Sequence, residues 1–244
     1  MGTVEQCIRS CHRFLLPLKK KINPASAKKP IQHQGRQTVQ IDHVLALIGG
    51  RDPRFGTSVQ SLNEAGDEPL VRPKRPAAFL DRDGVLNVDR GYVHKPEDIE
   101  MIPGAAAAVR LLNENGYYVI VVTNQSGVAR GLYSEAAIEQ VHMHMQDILR
   151  AEGAHIDAFY YCPHHPDGSV KEFAIQCRCR KPEAGMLEQA GRDWPIDLGR
   201  SFLIGDRDHD LAAAAAFRIR GVKFDAEAGP LVHLVRRELA KSIA

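Results

Sequence analysis

Ala77-Ala78-Phe79-Leu80-Asp81-Arg82-Asp83-Gly84 is an apolar run that stops at two carboxylates spaced i, i+2, with a glycine directly behind them. Such a run reads as a buried strand, and in open α/β sheets ligands bind just beyond the carboxyl ends of the strands. Two aspartates there can bind a metal, or one can attack an electrophile while the other moves protons. A strand that merely ends in a polar turn has the same look. The downstream chain decides between the two.

Beyond a polar loop, 87–101, a helix is predicted from Pro103 or Gly104 to Asn115, closed by Gly116. Tyr117 to Thr123 is a β-branched run of the kind found in a parallel strand covered on both faces. A polar turn, 124–130, leads to a helix from Ser134, its N-cap, to Ala151. Then come a short strand at Ala158–Tyr161, an irregular Cys/His/Pro-rich stretch 162–182, and a helix at 184–193. A strand at Ser201–Gly205, a helix at Leu211–Phe217 and a short strand at Val222–Phe224 complete the pattern. The alternation predicts an α/β fold, a parallel sheet with helices on both faces, and no large inserted cap.

Asp81/Asp83, Thr123/Asn124, Arg180/Lys181 and Asp206/Asp210 all follow predicted strands or the irregular stretch, so one parallel sheet gathers them at one edge. Several carboxylates in one crevice repel unless a cation is present, and oxygen ligands with open water positions suit Mg²⁺ beside a phosphate. Arg180 and Lys181 bring positive charge for phosphoryl oxygens. Asp206 and Asp210, i, i+4 across a strand-to-helix turn, could both face the same ion. A second set, Cys162-Pro-His164 and Cys177-Arg-Cys179, has twelve residues between His164 and Cys177. Three thiolates and an imidazole suit tetrahedral Zn²⁺ in a structural role, with His165 able to replace His164. Such an ion would clamp the loop that carries Arg180 and Lys181.

Phe-Leu-Asp81-Arg-Asp83-Gly, Val-Val-Thr123-Asn124-Gln125, Arg180-Lys181-Pro and Ile-Gly-Asp206-x3-Asp210 resemble, in order, the four motifs of the haloacid dehalogenase (HAD) phosphatases. The resemblance implies that Asp81 is the nucleophile of an aspartyl-phosphate and Asp83 the acid/base. It implies that Thr123 and Lys181 stabilise the phosphoryl group, and that Asp81, the backbone carbonyl of Asp83 and Asp206 hold Mg²⁺. The zinc loop, Asn124-Gln125-Ser126-Gly-x-Ala-Arg130-Gly, and Asn87-Val-Asp89-Arg90-Gly91-Tyr92-Val-His94 resemble the D-glycero-D-manno-heptose-1,7-bisphosphate 7-phosphatases within that superfamily. By that resemblance Asp89, Arg90, Gly91, Tyr92, Thr123, Asn124, Gln125, Ser126, Arg180, Lys181 and Arg207 contact the sugar or the distal phosphate. Arg207 departs from the lysine usual there, which changes reach and geometry. The rival within the superfamily is a histidinol-phosphate phosphatase or another small sugar-phosphate phosphatase. The rival of another class is a non-enzymatic, zinc-stabilised nucleic-acid-binding module.

The chain has 244 residues, 44% apolar and 25% charged, with a net charge of +2, an ordinary globular composition that advertises no nucleic acid. Residues 1–40, with eight Lys/Arg against one acid, are expected to form a basic flexible tail. Residues 41–76 read as a strand-turn remnant and linker; Asp52 and Pro53 stand where a nucleotidyltransferase loop has glycine and threonine, so no transferase activity is expected. The phosphatase domain is assigned to 77–230 and a C-terminal helix or tail to 231–244. No apolar run nears the ~20 residues of a membrane span, so the chain is expected in the cytoplasm, with a monomer as the default; the resemblance implies a small phosphorylated sugar as substrate, in heptose-precursor synthesis for cell-surface glycans. His142 and His144 are expected on a helix surface, Trp194 in packing, and Arg130 as a candidate second positive site.

Overall fold

The computed structural model describes His12–Phe14 and residues 73–241. The expectations for the rest of 1–40, for 41–72 and for 242–244 lie outside the described residues. Six strands form one sheet: β1 (His12–Phe14), β2 (Ala77–Leu80), β3 (Tyr118–Asn124), β4 (Ala158–Cys162), β5 (Phe202–Gly205) and β6 (Arg220–Lys223), in the order β1-β4-β3-β2-β5-β6. β2 to β6 pair in parallel, as the alternation of elements predicts. β1 pairs antiparallel with β4, His12 opposite Tyr161, an edge strand that the tail reading did not anticipate.

The central strands are apolar on both faces because helices cover both. Ala78, Leu80, Val119, Val121 and Ile204 pack against α1 (Ala105–Glu114), α2 (Glu135–Ala151) and α5 (Leu231–Lys241). Ala77, Phe79, Ile120, Val122 and Leu203 face α3 (Gly185–Asp193) and α4 (Asp208–Ala216). Burying the Val, Leu, Ile and Phe side chains among them stabilises the sheet by about 1.5–3 kcal/mol each. Ser134 caps α2 by accepting from the Ala137 N–H. α4 begins three residues earlier than predicted, which brings Asp208 and Asp210 into its first turn.

His142 is fully buried on α2, a correction to the surface expectation. Its ring stacks on Phe159 at 4.3 Å, so it occupies an aromatic core position rather than a solvated one. Burial, with Arg82 nearby, holds it well below the ordinary histidine value and therefore neutral. Trp194 packs as expected, its ring 4.9 Å from that of Tyr118 and its indole N–H donating to Tyr160.

Candidate active site

The parallel register aligns Leu80 with Val121 and Ile204, and Asn124 with Cys162. Asp81, Thr123, Asn124 and Asp206 therefore leave the sheet at one edge, where they line a cavity of about 390 Å³. A second cavity, of about 550 Å³ beside Trp194 and Phe217, contains none of the motif residues. The chemistry belongs to the smaller one.

Lys181 lies beneath its floor. The Nζ is 2.9 Å from Asp81 Oδ1, 2.6 Å from Asp210 Oδ1, and donates to the Val122 carbonyl at 2.8 Å. Asn124 fixes the Lys181 backbone from both sides, accepting from its N–H and donating to its carbonyl, both at 3.0 Å. Burial pulls the Lys181 ammonium down, but Asp81 and Asp210 outweigh it and keep the pKa above its usual value. Burial pushes the Asp81 carboxyl up to about 7 against the pull of Lys181. Asp210 is thereby a partner of Lys181 and of the Arg207 backbone N–H (3.0 Å). With Asp81 and His209 it also forms a group whose ligand atoms lie within 4.8 Å of one another, close enough to hold a metal ion.

Asp206 stays on the cavity wall, with Oδ1 buried and unpartnered and Oδ2 2.9 Å from Arg207 Nε. Gly84, with φ +82°, passes so close that a Cβ there would meet Asp206 Oδ2 at 2.5 Å. Only glycine lets this carboxylate pack against the backbone at position 84. An orphaned carboxylate oxygen and an excess of acid over the one buried lysine fit a hard divalent cation. The oxygen donor set that suits Mg²⁺ is thus present.

Cys162, His164, Cys177 and Cys179 converge, their ligand atoms all within 4.8 Å of one another. Cys179 Sγ is 3.3 Å from the other two sulfurs and from His164 Nδ1. His165 turns away to Arg130 (3.3 Å) and to the Asp167 N–H, which leaves His164 as the imidazole of the set. Hydrogen bonds from the other two thiols pull the Cys177 thiol down, while burial pushes the Cys162 thiol up, so the set shares its protons unevenly.

Of the expected substrate-contacting residues, Asp89, Gly91, Tyr92, Thr123, Asn124, Ser126, Arg180 and Arg207 line the cavity. Arg90 does not; it pairs with Glu100 on the surface. Gln125 is also absent from the wall, because its side chain is buried beneath it, 2 % exposed. Arg130 bonds His165 instead of lining the cavity. Arg207 reaches across to Asp89 Oδ2 at 3.1 Å, and Asp89 accepts from the Gly91 N–H. The sequence reading missed Tyr133, which stands on the wall, as does His209 inside the last motif. Tyr133 sits directly before the α2 cap, a position that could have signalled it.

Comparison with known proteins agrees with this geometry. Residues 78–154 match a haloacid dehalogenase-like hydrolase model and residues 178–224 a HAD-hydrolase-like one. A D-glycero-beta-D-manno-heptose-1,7-bisphosphate 7-phosphatase of Rhodopseudomonas palustris is 48% identical over 155 residues, 64% of this chain and 86% of the relative. One from Photorhabdus laumondii is 42% identical over 168 residues, 69% of this chain and 89% of the relative. The crystal structure of D,D-heptose 1,7-bisphosphate phosphatase from B. bronchiseptica, complexed with magnesium and phosphate, superposes with a TM-score of 0.57 at 29% identity. It covers 68% of this chain and 99% of that one. With the four motifs assembled at one sheet edge and relatives this similar over most of their length, the chain belongs to the heptose-bisphosphate 7-phosphatase family of HAD-like hydrolases and is a phosphoric monoester hydrolase.

Proposed function

We propose that the chain removes the 7-phosphate of D-glycero-D-manno-heptose 1,7-bisphosphate through an aspartyl-phosphate at Asp81. The observation that carries this reading is the Asp81–Lys181 pair at the floor of a cavity whose wall holds Asp206, Arg180 and Arg207. The Asp81 carboxylate attacks phosphorus as the bond from phosphorus to the sugar O7 breaks, and the Asp83 carboxyl gives its proton to O7. Asp83, now a carboxylate, takes a proton from the water that attacks the aspartyl-phosphate, and inorganic phosphate leaves with Asp81 restored. Lys181 and Thr123 stabilise the charge on the transferring group. Mg²⁺ would be held by Asp81, the Asp83 carbonyl and Asp206, and supplies charge neutralisation to the phosphoryl oxygens. Zn²⁺ would be held by Cys162, His164, Cys177 and Cys179, fastening the loop that ends in Arg180 and Lys181.

Arg180 and Arg207, at the cavity wall, supply the positive charge that a second phosphate requires. Among the described residues no helix is long and apolar enough to cross a membrane. A cytoplasmic location is proposed from the substrate, a small soluble phosphorylated sugar. Phosphate release with Mg²⁺ from the heptose bisphosphate, histidinol phosphate and fructose 1,6-bisphosphate tests the assignment. A preference for the heptose of at least about tenfold in kcat/KM, lost in Asp81→Asn, is expected. A preference for histidinol phosphate would keep the chemistry and overturn the substrate.

A further inference from the structure

Asp83 does not stand free at the cavity. Its Oδ1 accepts from Arg82 Nη2 at 3.0 Å and from Asn87 Nδ2 at 2.9 Å; its Oδ2 accepts from Arg82 Nη2 at 2.9 Å and from Gln125 Nε2 at 3.0 Å. The Arg82 side chain is wholly buried and is itself anchored to the Val93 carbonyl at 2.8 Å. An arginine in that position is expensive to bury unless its partner needs it.

Gln125 is fixed with equal care. Its amide nitrogen also donates to Thr123 Oγ1 at 2.9 Å, and its Oε1 accepts from the Tyr133 hydroxyl at 2.9 Å. Burial pushes the Tyr133 phenol up to about 12, so at neutral pH it keeps the proton it donates. The amide is thereby oriented with its N–H groups toward the carboxylate and the threonine. Gly127 makes room for this, since a Cβ there would meet the Tyr133 ring at 2.1 Å. The tyrosine is stacked in turn on His94, centroids 4.9 Å apart.

We infer that Gln125, locked by Tyr133, and Arg82 are positioning residues that hold the Asp83 carboxyl in the orientation required for proton transfer to the leaving oxygen. The inference rests on the reading of Asp83 as acid/base, and it takes Gln125 out of the sugar-binding set. General-acid assistance matters in proportion as the leaving oxygen is basic. A displaced Asp83 therefore penalises poor leaving groups more than good ones. A lost sugar contact or a loosened fold would not.

The test is kcat/KM for a graded series, p-nitrophenyl, phenyl and p-methoxyphenyl phosphate, with the heptose bisphosphate alongside. In this ratio only steps up to release of the alcohol count, so hydrolysis of the phosphoenzyme does not mask the effect. Gln125→Met, which keeps the volume and cannot donate, is expected to fall at least about tenfold further on phenyl than on p-nitrophenyl phosphate. Tyr133→Phe leaves Gln125 in place without its anchor and is expected to steepen the series in the same direction, a readout that stands even where the methionine variant does not fold. The control is Gln146→Met: Gln146 is equally buried and bonds only the Ile156 backbone, so its series keeps the wild-type slope.

An equal loss across the phenyl esters in both variants, or a loss confined to the heptose bisphosphate, would overturn the positioning role and leave the phosphatase reading standing. A slope change of the same size in Gln146→Met would also overturn it. A wild-type chain that releases phosphate from none of these esters would overturn the phosphatase reading and this inference with it.

Discussion

Asp81 and Lys181 have opposite relations to stability, and single substitutions separate them. Lys181 is the one cation buried between Asp81 and Asp210, so Lys181→Met strands two buried carboxylates. A loss of about 3–5 kcal/mol in urea unfolding is expected. Asp81→Asn removes a carboxylate that burial already disfavours; with chelator present its thermal midpoint should equal or exceed that of wild type, while turnover falls at least about thousandfold. A midpoint well below wild type would mean that Asp81 is held for structure and not for chemistry. The motif spacing made these residues legible because it says which side chains reach the sheet edge. It does not say which turn up into the cavity and which turn under it, and that is why the buried place of Gln125 beneath the wall was not legible. Arg82 was invisible for the same reason: between two aspartates it looks like surface charge, and only the fold shows it buried.

At the level of elements, the strands and helices of the sheet were legible because burial on both faces leaves unbroken apolar runs, and Ser134 and Gly116 punctuate the helices. β1 was not: three residues of edge strand carry no pattern, and their pairing with β4 is a tertiary choice. His142 was misread because its helix turn carries His144 two positions on, and periodicity alone did not rank the two. Its burial makes α2 sensitive to acid. The folded state keeps His142 neutral at a depressed pKa, while the unfolded chain binds a proton near the ordinary histidine value of about 6.5. Stability is complete above about 6.5 and declines as pH falls below it, by up to about 1.4 kcal/mol per pH unit from this group. His142→Phe should shrink the fall in thermal midpoint between pH 7.5 and 5; an unchanged fall would place the acid sensitivity elsewhere. In the Cys/His loop, where zinc is proposed, Cys177→Ser should lower the zinc content of the purified chain and reduce kcat/KM by about 10–100-fold, as zinc analysis and phosphate release would report. Full activity with no zinc would show that the loop holds Arg180 and Lys181 unaided.

Across the whole molecule, the candidate site lies among the described residues from 73 on. Both apolar faces of the sheet, the cavity wall and the Cys/His set draw on residues 77 to 239 among those described. The R. palustris relative aligns over 155 residues that make up 86% of its own length. A fragment comprising 72–244 therefore contains what a domain needs to fold alone, and it should keep kcat/KM for the heptose bisphosphate within about threefold. Among the described residues, what the fragment loses is β1, and with it the cover on β4, which β1 pairs through His12, Arg13 and Phe14. A bare edge strand is a template for another chain, so the fragment should self-associate at concentrations where the full chain does not, as sedimentation across a dilution series would show. Matching sedimentation for the two would mean that the β4 edge is protected without β1. A fragment that stays folded and loaded with zinc but loses more than about tenfold in kcat/KM would place part of the upstream segment in the site itself.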